Sequence, residues 1–146
     1  MKKAFIVLLI SILLSGCQFS NKYQNRESDK QDAEEIAFTL FENIKLRNFE
    51  KTTSLFGQKF FEVTTKEELL KIFEVTDREL GLLKSIELID WSTDVSEGAI
   101  EKGIYILNYK CKFEKGKVDL RIVLIKEENG EIKVVGYNVI NNLQLE

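Results

Sequence analysis

The sequence predicts an α+β fold, with N-terminal helices packed on one face of a curved, mainly antiparallel sheet of about four strands. Three observations carry this. Apolar residues recur at helical spacing between Ala33 and Leu80, they switch to strict alternation after Gly81, and hairpin signals join the alternating runs. Strands joined by tight turns run antiparallel and need no crossover helix, so helices and sheet segregate along the chain.

The first helix is read from Ala33, Ile36, Ala37, Leu40, Phe41 and Ile44, which fall on one stripe of a 3.6-residue period. Asp32 with Glu35 three residues on is an acidic variant of the capping box and suits the positive end of a helix. Asn48 caps a second short helix carrying Phe49, Leu55 and Phe56, with Gly57 as its stop. Lys59 to Val63 is a short apolar-aromatic piece read as a strand. Thr65 and Glu68 form a capping box that opens a third helix with Leu69, Leu70, Phe73 and Leu80, ended by Gly81.

The sheet follows. In its first strand Ile86 and Leu88 are set opposite Ile89 and Trp91, and Gly98 to Gly103 makes the next loop. Tyr105, Leu107, Tyr109, Cys111 and Phe113 alternate in the second strand, with Asn108, Lys110, Lys112 and Glu114 pointing the other way, and Glu114 to Lys117 reads as a turn. Val118, Leu120, Ile122 and Leu124 build the third strand; Asn129-Gly130 predicts a type I′ hairpin into a last strand from Ile132 to Ile140.

Ahead of this domain lies a different kind of sequence. Lys2 and Lys3 precede an apolar run from Ala4 to Leu14, broken only by Ser11, and the run leads through Ser15 and Gly16 into Cys17. It is shorter than the roughly 20 apolar residues that a spanning helix needs and fits the apolar core of a secretory signal. The L-S-G-C ending resembles the bacterial lipoprotein signal. That resemblance implies removal of residues 1–16, lipidation of Cys17 and a cell-envelope location at a bacterial membrane. Gln18 follows the cysteine where an aspartate marks inner-membrane retention in enteric-type bacteria, which favours the outer membrane in a two-membrane cell. Residues 17–31, polar and without periodicity, read as the lipidated cysteine and a flexible tether, and 32–146 as a single domain.

Composition narrows the function classes. Removing Lys2 and Lys3 takes 21 basic residues to 19 against 24 acidic ones, a net charge of −5. A mildly acidic chain with no long basic run does not suit nucleic acid, whose binding rests on Lys and Arg against phosphate. Histidine is absent, which excludes Ser-His-Asp and Cys-His catalysis and imidazole metal ligation. With Cys17 lipidated, Cys111 is the only thiol, and its place in an apolar series marks it as a small buried hydrophobe. The acids Asp90, Asp94, Glu97 and Glu101 lack the spacing that folds oxygens around calcium, so neither a metal nor a cofactor is expected.

Asn48 to Phe56, Thr65 to Leu69, Leu80 to Ser85 and Val135 to Val139, in this order, are similar to small bacterial envelope domains of the nuclear-transport-factor-2-like class. The similarity covers roughly residues 33–142. It implies a cone, a curved sheet wrapped over the long helix with a pocket at the wide end, and places Tyr105, Tyr109, Tyr137 and Trp91 as candidate pocket residues. Catalytic members of that class set a carboxylate against a tyrosine inside the cone, and no inward carboxylate joins the three tyrosines here. The expected function is therefore a non-catalytic module that binds a small apolar ligand or an envelope protein. The alternatives are an isomerase- or dehydratase-like enzyme and a structural or assembly accessory. Ile104, Ile106, Val123 and Ile125 are apolar on the sheet face away from the helices, and the class commonly pairs there, so a homodimer through that face is also expected.

Overall fold

The computed structural model describes residues 20–145. The expected signal, 1–16, and Cys17 lie outside the described residues. A short strand β1 (Asn21–Gln24) precedes four helices: α1 (Glu27–Lys45), α2 (Phe49–Thr52), α3 (Gln58–Phe61) and α4 (Lys66–Leu80). A 3₁₀ turn, Thr53–Leu55, follows α2 directly. Four long strands complete the chain: β2 (Leu83–Glu97), β3 (Lys102–Phe113), β4 (Gly116–Lys126) and β5 (Ile132–Leu145). The sheet has five antiparallel strands in sequential order, so the fold is α+β as expected, with one strand more than the sequence suggests.

The added strand comes from the segment read as a tether. Asn21–Gln24 pairs with Asp94–Glu97, and α1 starts at Glu27, well before the expected cap at Asp32. Arg26 makes this possible. Its guanidinium donates to both oxygens of Asp29 at 3.0 and 2.7 Å and to Glu97 at 2.5 Å, and it lies 4.0 Å over the Tyr23 ring. One side chain thus ties β1, the first turn of α1 and the end of β2 together. Its two carboxylate partners hold the guanidinium pKa well above its usual range.

The capping box at the start of α4 is present in both directions. Glu68 N–H donates to Thr65 Oγ1 at 3.2 Å, and Thr65 N–H donates to Glu68 Oε2 at 2.8 Å, which lowers the Glu68 pKa. Gly81 ends the helix at φ 76°, a conformation that costs a residue with a Cβ. Lys59–Val63, read as a strand, is instead mostly the helix α3, with Gly57 as its N-cap. A short apolar run fits either state, and here Phe60 turns inward onto Phe56 at 4.6 Å.

The core lies between the helices and one sheet face. Leu107, Ile122, Leu124 and Val134 from the sheet meet Ala33, Ala37, Leu40, Phe41 and Leu69 from the helices, all of them buried. The alternation read in β4 holds, and so does that in β3 except at Asn108, which is buried between Asp90 and Arg121 on the outer face. In β2 it does not, because a bulge falls between Leu88 and Asp90. The extra residue, Ile89, is 47% exposed, and Trp91 returns to the side of Ile86 and Leu88 instead of opposing them. The Asn129-Gly130 hairpin forms with a different turn. Gly130 alone in that loop takes positive φ, and the loop closes through Gly130 N–H to Glu127 O and Glu127 N–H to Glu131 O. That geometry departs from type I′, which needs positive φ at both central residues. Among the described residues no helix is long and apolar enough to cross a membrane.

Candidate functional site

The four candidate pocket residues do not converge. Tyr109 is buried edge-on against Phe41, ring centroids 5.0 Å apart at 76°. Tyr137, from β5, packs on Phe73 at 5.6 Å and Phe56 at 6.3 Å. Tyr105 lies over Gly103 of its own strand, where a Cβ would stand 2.6 Å from the phenolic oxygen. Trp91 is half-buried under Lys30, whose ammonium is 5.4 Å from the indole. Beside Tyr137 there remains a void of about 10 Å³ bordered by Ile44, Phe73, Leu83 and Phe113.

The same packing governs the tyrosine hydroxyls. Burial pushes Tyr105 up to about 12, with the Asp29 carboxylate adding to the rise, and raises Tyr109 and Tyr137 well above the normal phenol range. Cys111 is buried and likewise pushed up to about 12, so its thiol is neutral and inert near neutrality.

Asp29 is the buried carboxylate that the sequence reading missed. It comes near Tyr105, but both of its oxygens accept hydrogen bonds from Arg26, which commits it to holding the first turn of α1. Arg26-x-x-Asp29 spacing was the available signal, hidden by a helix start placed too late. The acids around the β2–β3 loop disperse: Glu97 reaches Arg26, Glu101 pairs with Lys126, and Asp94 accepts from Gln24 at 3.5 Å.

Space for a ligand lies instead at the surface. A groove of about 730 Å³ runs between α1 and β2, with Tyr109 as its floor. Phe38, Ile86 and Leu88 supply its apolar walls, and Glu34 and Glu35 stand at its rim. Phe38, 62% exposed, was also missed. It falls outside the stripe that defines the buried face of α1, so periodicity assigns it no role. A second, wider depression of about 960 Å³ combines Ile104 and Ile125 with charged walls that include Lys22, Asp94 and Glu127.

On the face away from the helices, Arg121 donates to Asn108 Oδ1 at 2.9 Å, and Asn108 Nδ2 donates to Asp90 at 3.3 Å. This polar chain crosses the middle of the face. Above it lie Ile104, 53% exposed, and the half-buried Ile106, Val123 and Ile125.

No curated protein matches the chain. The model of a family described as proteins of unknown function, DUF3887, matches residues 37–136, from the middle of α1 into β5. That span holds Phe38, Ile86, Leu88 and Tyr109 of the groove together with most of the sheet, and the chain belongs to this family.

Proposed function

We propose that the chain is a lipid-anchored protein of the bacterial cell envelope, of the nuclear-transport-factor-2-like type, and that it acts by binding rather than by catalysis. The observation that supports binding is the open groove between α1 and β2, lined by Phe38, Ile86, Leu88 and Tyr109. About 10 Å³ remains beside Tyr137, while the groove between α1 and β2 offers about 730 Å³. Of the three tyrosines, Tyr109 forms the floor of that groove, and Tyr105 and Tyr137 do not line it. An envelope protein has an apolar track bordered by Phe38, Ile86 and Leu88. Of the two expected ligand classes, this favours a protein partner over a small apolar molecule.

A photo-crosslinking residue at position 38 of the full-length protein in its native membrane tests this. The expected result is one discrete crosslinked partner, absent when the same probe replaces buried Leu107. A substrate turned over by the wild type and not by Tyr137→Phe would overturn the reading and restore the enzyme alternative.

A second reading concerns self-association. The apolar quartet Ile104, Ile106, Val123 and Ile125 favours a homodimer through the outer sheet face, since burying each side chain contributes roughly 1.5–3 kcal/mol relative to exposure. Val123→Lys is expected to abolish dimerisation in sedimentation equilibrium without loss of secondary structure. A wild-type protein that stays monomeric at high concentration would remove the idea.

A further inference from the structure

β1 shortens the connection between the expected anchor and the folded domain. Residues 17–31 read as a tether, which would reach about 50 Å when extended. Yet Asn21 already pairs with Glu97, and Gln24 with Asp94. Cys17 precedes Asn21 by four residues. Whatever its path, so short a stretch reaches about 14 Å at most. The pairing also decides which end of the domain is held. β1 runs antiparallel to β2, so Asn21 lies where β2 ends at Glu97 and the loop 98–101 begins. The β4–β5 hairpin is at the same end, since Lys126 faces Gly103 on one side and Ile132 on the other, and it pairs with Glu101. Ile100, 62% exposed, stands out from the loop. The depression at this end gathers four lysines, Lys22 and Lys59 among them, and five acids, Glu62 and Glu127 among them. The groove between α1 and β2 is remote from it. Leu88 stands nine residues back along β2 from Glu97, about 30 Å at the usual strand rise.

We infer that the end of the domain bearing loop 98–101 and the β4–β5 hairpin rests on lipid headgroups, with Ile100 at the contact, while the groove opens about 30 Å out from the bilayer. This rests on the reading of Cys17 as a lipidated anchor. An acylated cysteine sits at the membrane interface, so Asn21 stays within about 14 Å of it. The charges at this end nearly cancel, which suits headgroups that carry both a phosphate and an amine. They form no polybasic patch of the kind that selects anionic lipid. The exposed isoleucine adds apolar contact at the boundary between headgroups and acyl chains. The orientation has a consequence for the groove. Its partner meets Phe38, Ile86 and Leu88 in the aqueous layer beyond the membrane, not in the membrane plane.

Fluorescence quenching by lipid tests the inference. Cys111 is buried and Cys17 carries the acyl chains, so one introduced cysteine takes one dye. Ile100→Cys, Phe38→Cys and Glu87→Cys place it at the loop, at the groove and on the outer sheet face, all at exposed positions outside the core. The acylated protein is set in phosphatidylcholine vesicles whose headgroups carry a nitroxide. Quenching at position 100 is expected to exceed that at 38 and 87 by about fivefold or more. Ten Gly and Ser residues inserted after Gln18 are expected to reduce it by about twofold or more, since a longer tether dilutes the domain near the surface. Equal or stronger quenching at 38 or 87 would overturn the orientation, and so would quenching at 100 that ignores the longer tether. Acylated protein whose dye at 100 no lipid quencher reaches would remove the contact alone. Absence of fatty acid on Cys17 would instead remove the anchored reading on which the contact rests.

Discussion

Phe73→Ala is expected to destabilise the domain by about 3–5 kcal/mol, the usual cost of emptying an aromatic site in a core. Phe73 is 3% exposed and stands where three other rings meet: Phe49 at 5.7 Å, Tyr137 at 5.6 Å and Phe56 at 6.3 Å. These partners come from α2, from β5 and from the turn between α2 and α3, so the loss loosens the small helices from α4 and from the sheet together. Few neighbours can move in, because each ring is itself held by another. The urea midpoint should fall with the slope unchanged, as expected for lost stability without a new unfolded state. Phe38→Ala is the control, since that ring is 62% exposed and should change stability by less than about 0.5 kcal/mol. Equal effects at the two positions would mean that the aromatic cluster does not hold the helices.

Cys17→Ser is expected to abolish membrane attachment, leaving either a released domain or an unprocessed precursor. A single acyl chain gives marginal, reversible binding, and each buried CH₂ contributes about 0.8 kcal/mol, so the two or three chains of a lipoprotein cysteine make an effectively permanent anchor. No described helix replaces it as a spanning segment. Fractionation with labelled fatty acid reads the outcome, and the thermal transition of the domain should be unchanged. Equal labelling of wild type and mutant would refute the anchor.

Features fixed by near neighbours were legible in the sequence. The Thr65–Glu68 box needs only three residues of spacing, and Gly81 needs only its own freedom at positive φ. In β3 the pairing with β4 is unshifted, and the apolar set Tyr105, Leu107, Tyr109, Cys111 and Phe113 read from the alternation is buried throughout. Features fixed by distant partners were not legible. β1 is polar, and its order depends on Arg26 reaching Glu97, 71 residues away. One bulged residue, Ile89, moved Trp91 across the sheet, and no propensity announces that. At the candidate site, the inward direction of Tyr105 and Tyr109 was readable from alternation, but what stands opposite each ring was not. Phe38 escaped because an exposed aromatic has no periodic signature.

The burial of Cys111 gives the protein an internal clock for its own opening. Among the described residues Cys111 is the one free thiol, 2% exposed and packed inside the second long hairpin. A thiol reagent therefore reacts only when β3 parts from the helices. The rate of that reaction reads the frequency of core exposure under native conditions, without denaturant or heat. The same seclusion keeps the thiol from oxidants in solution, so no disulfide partner is needed to protect it.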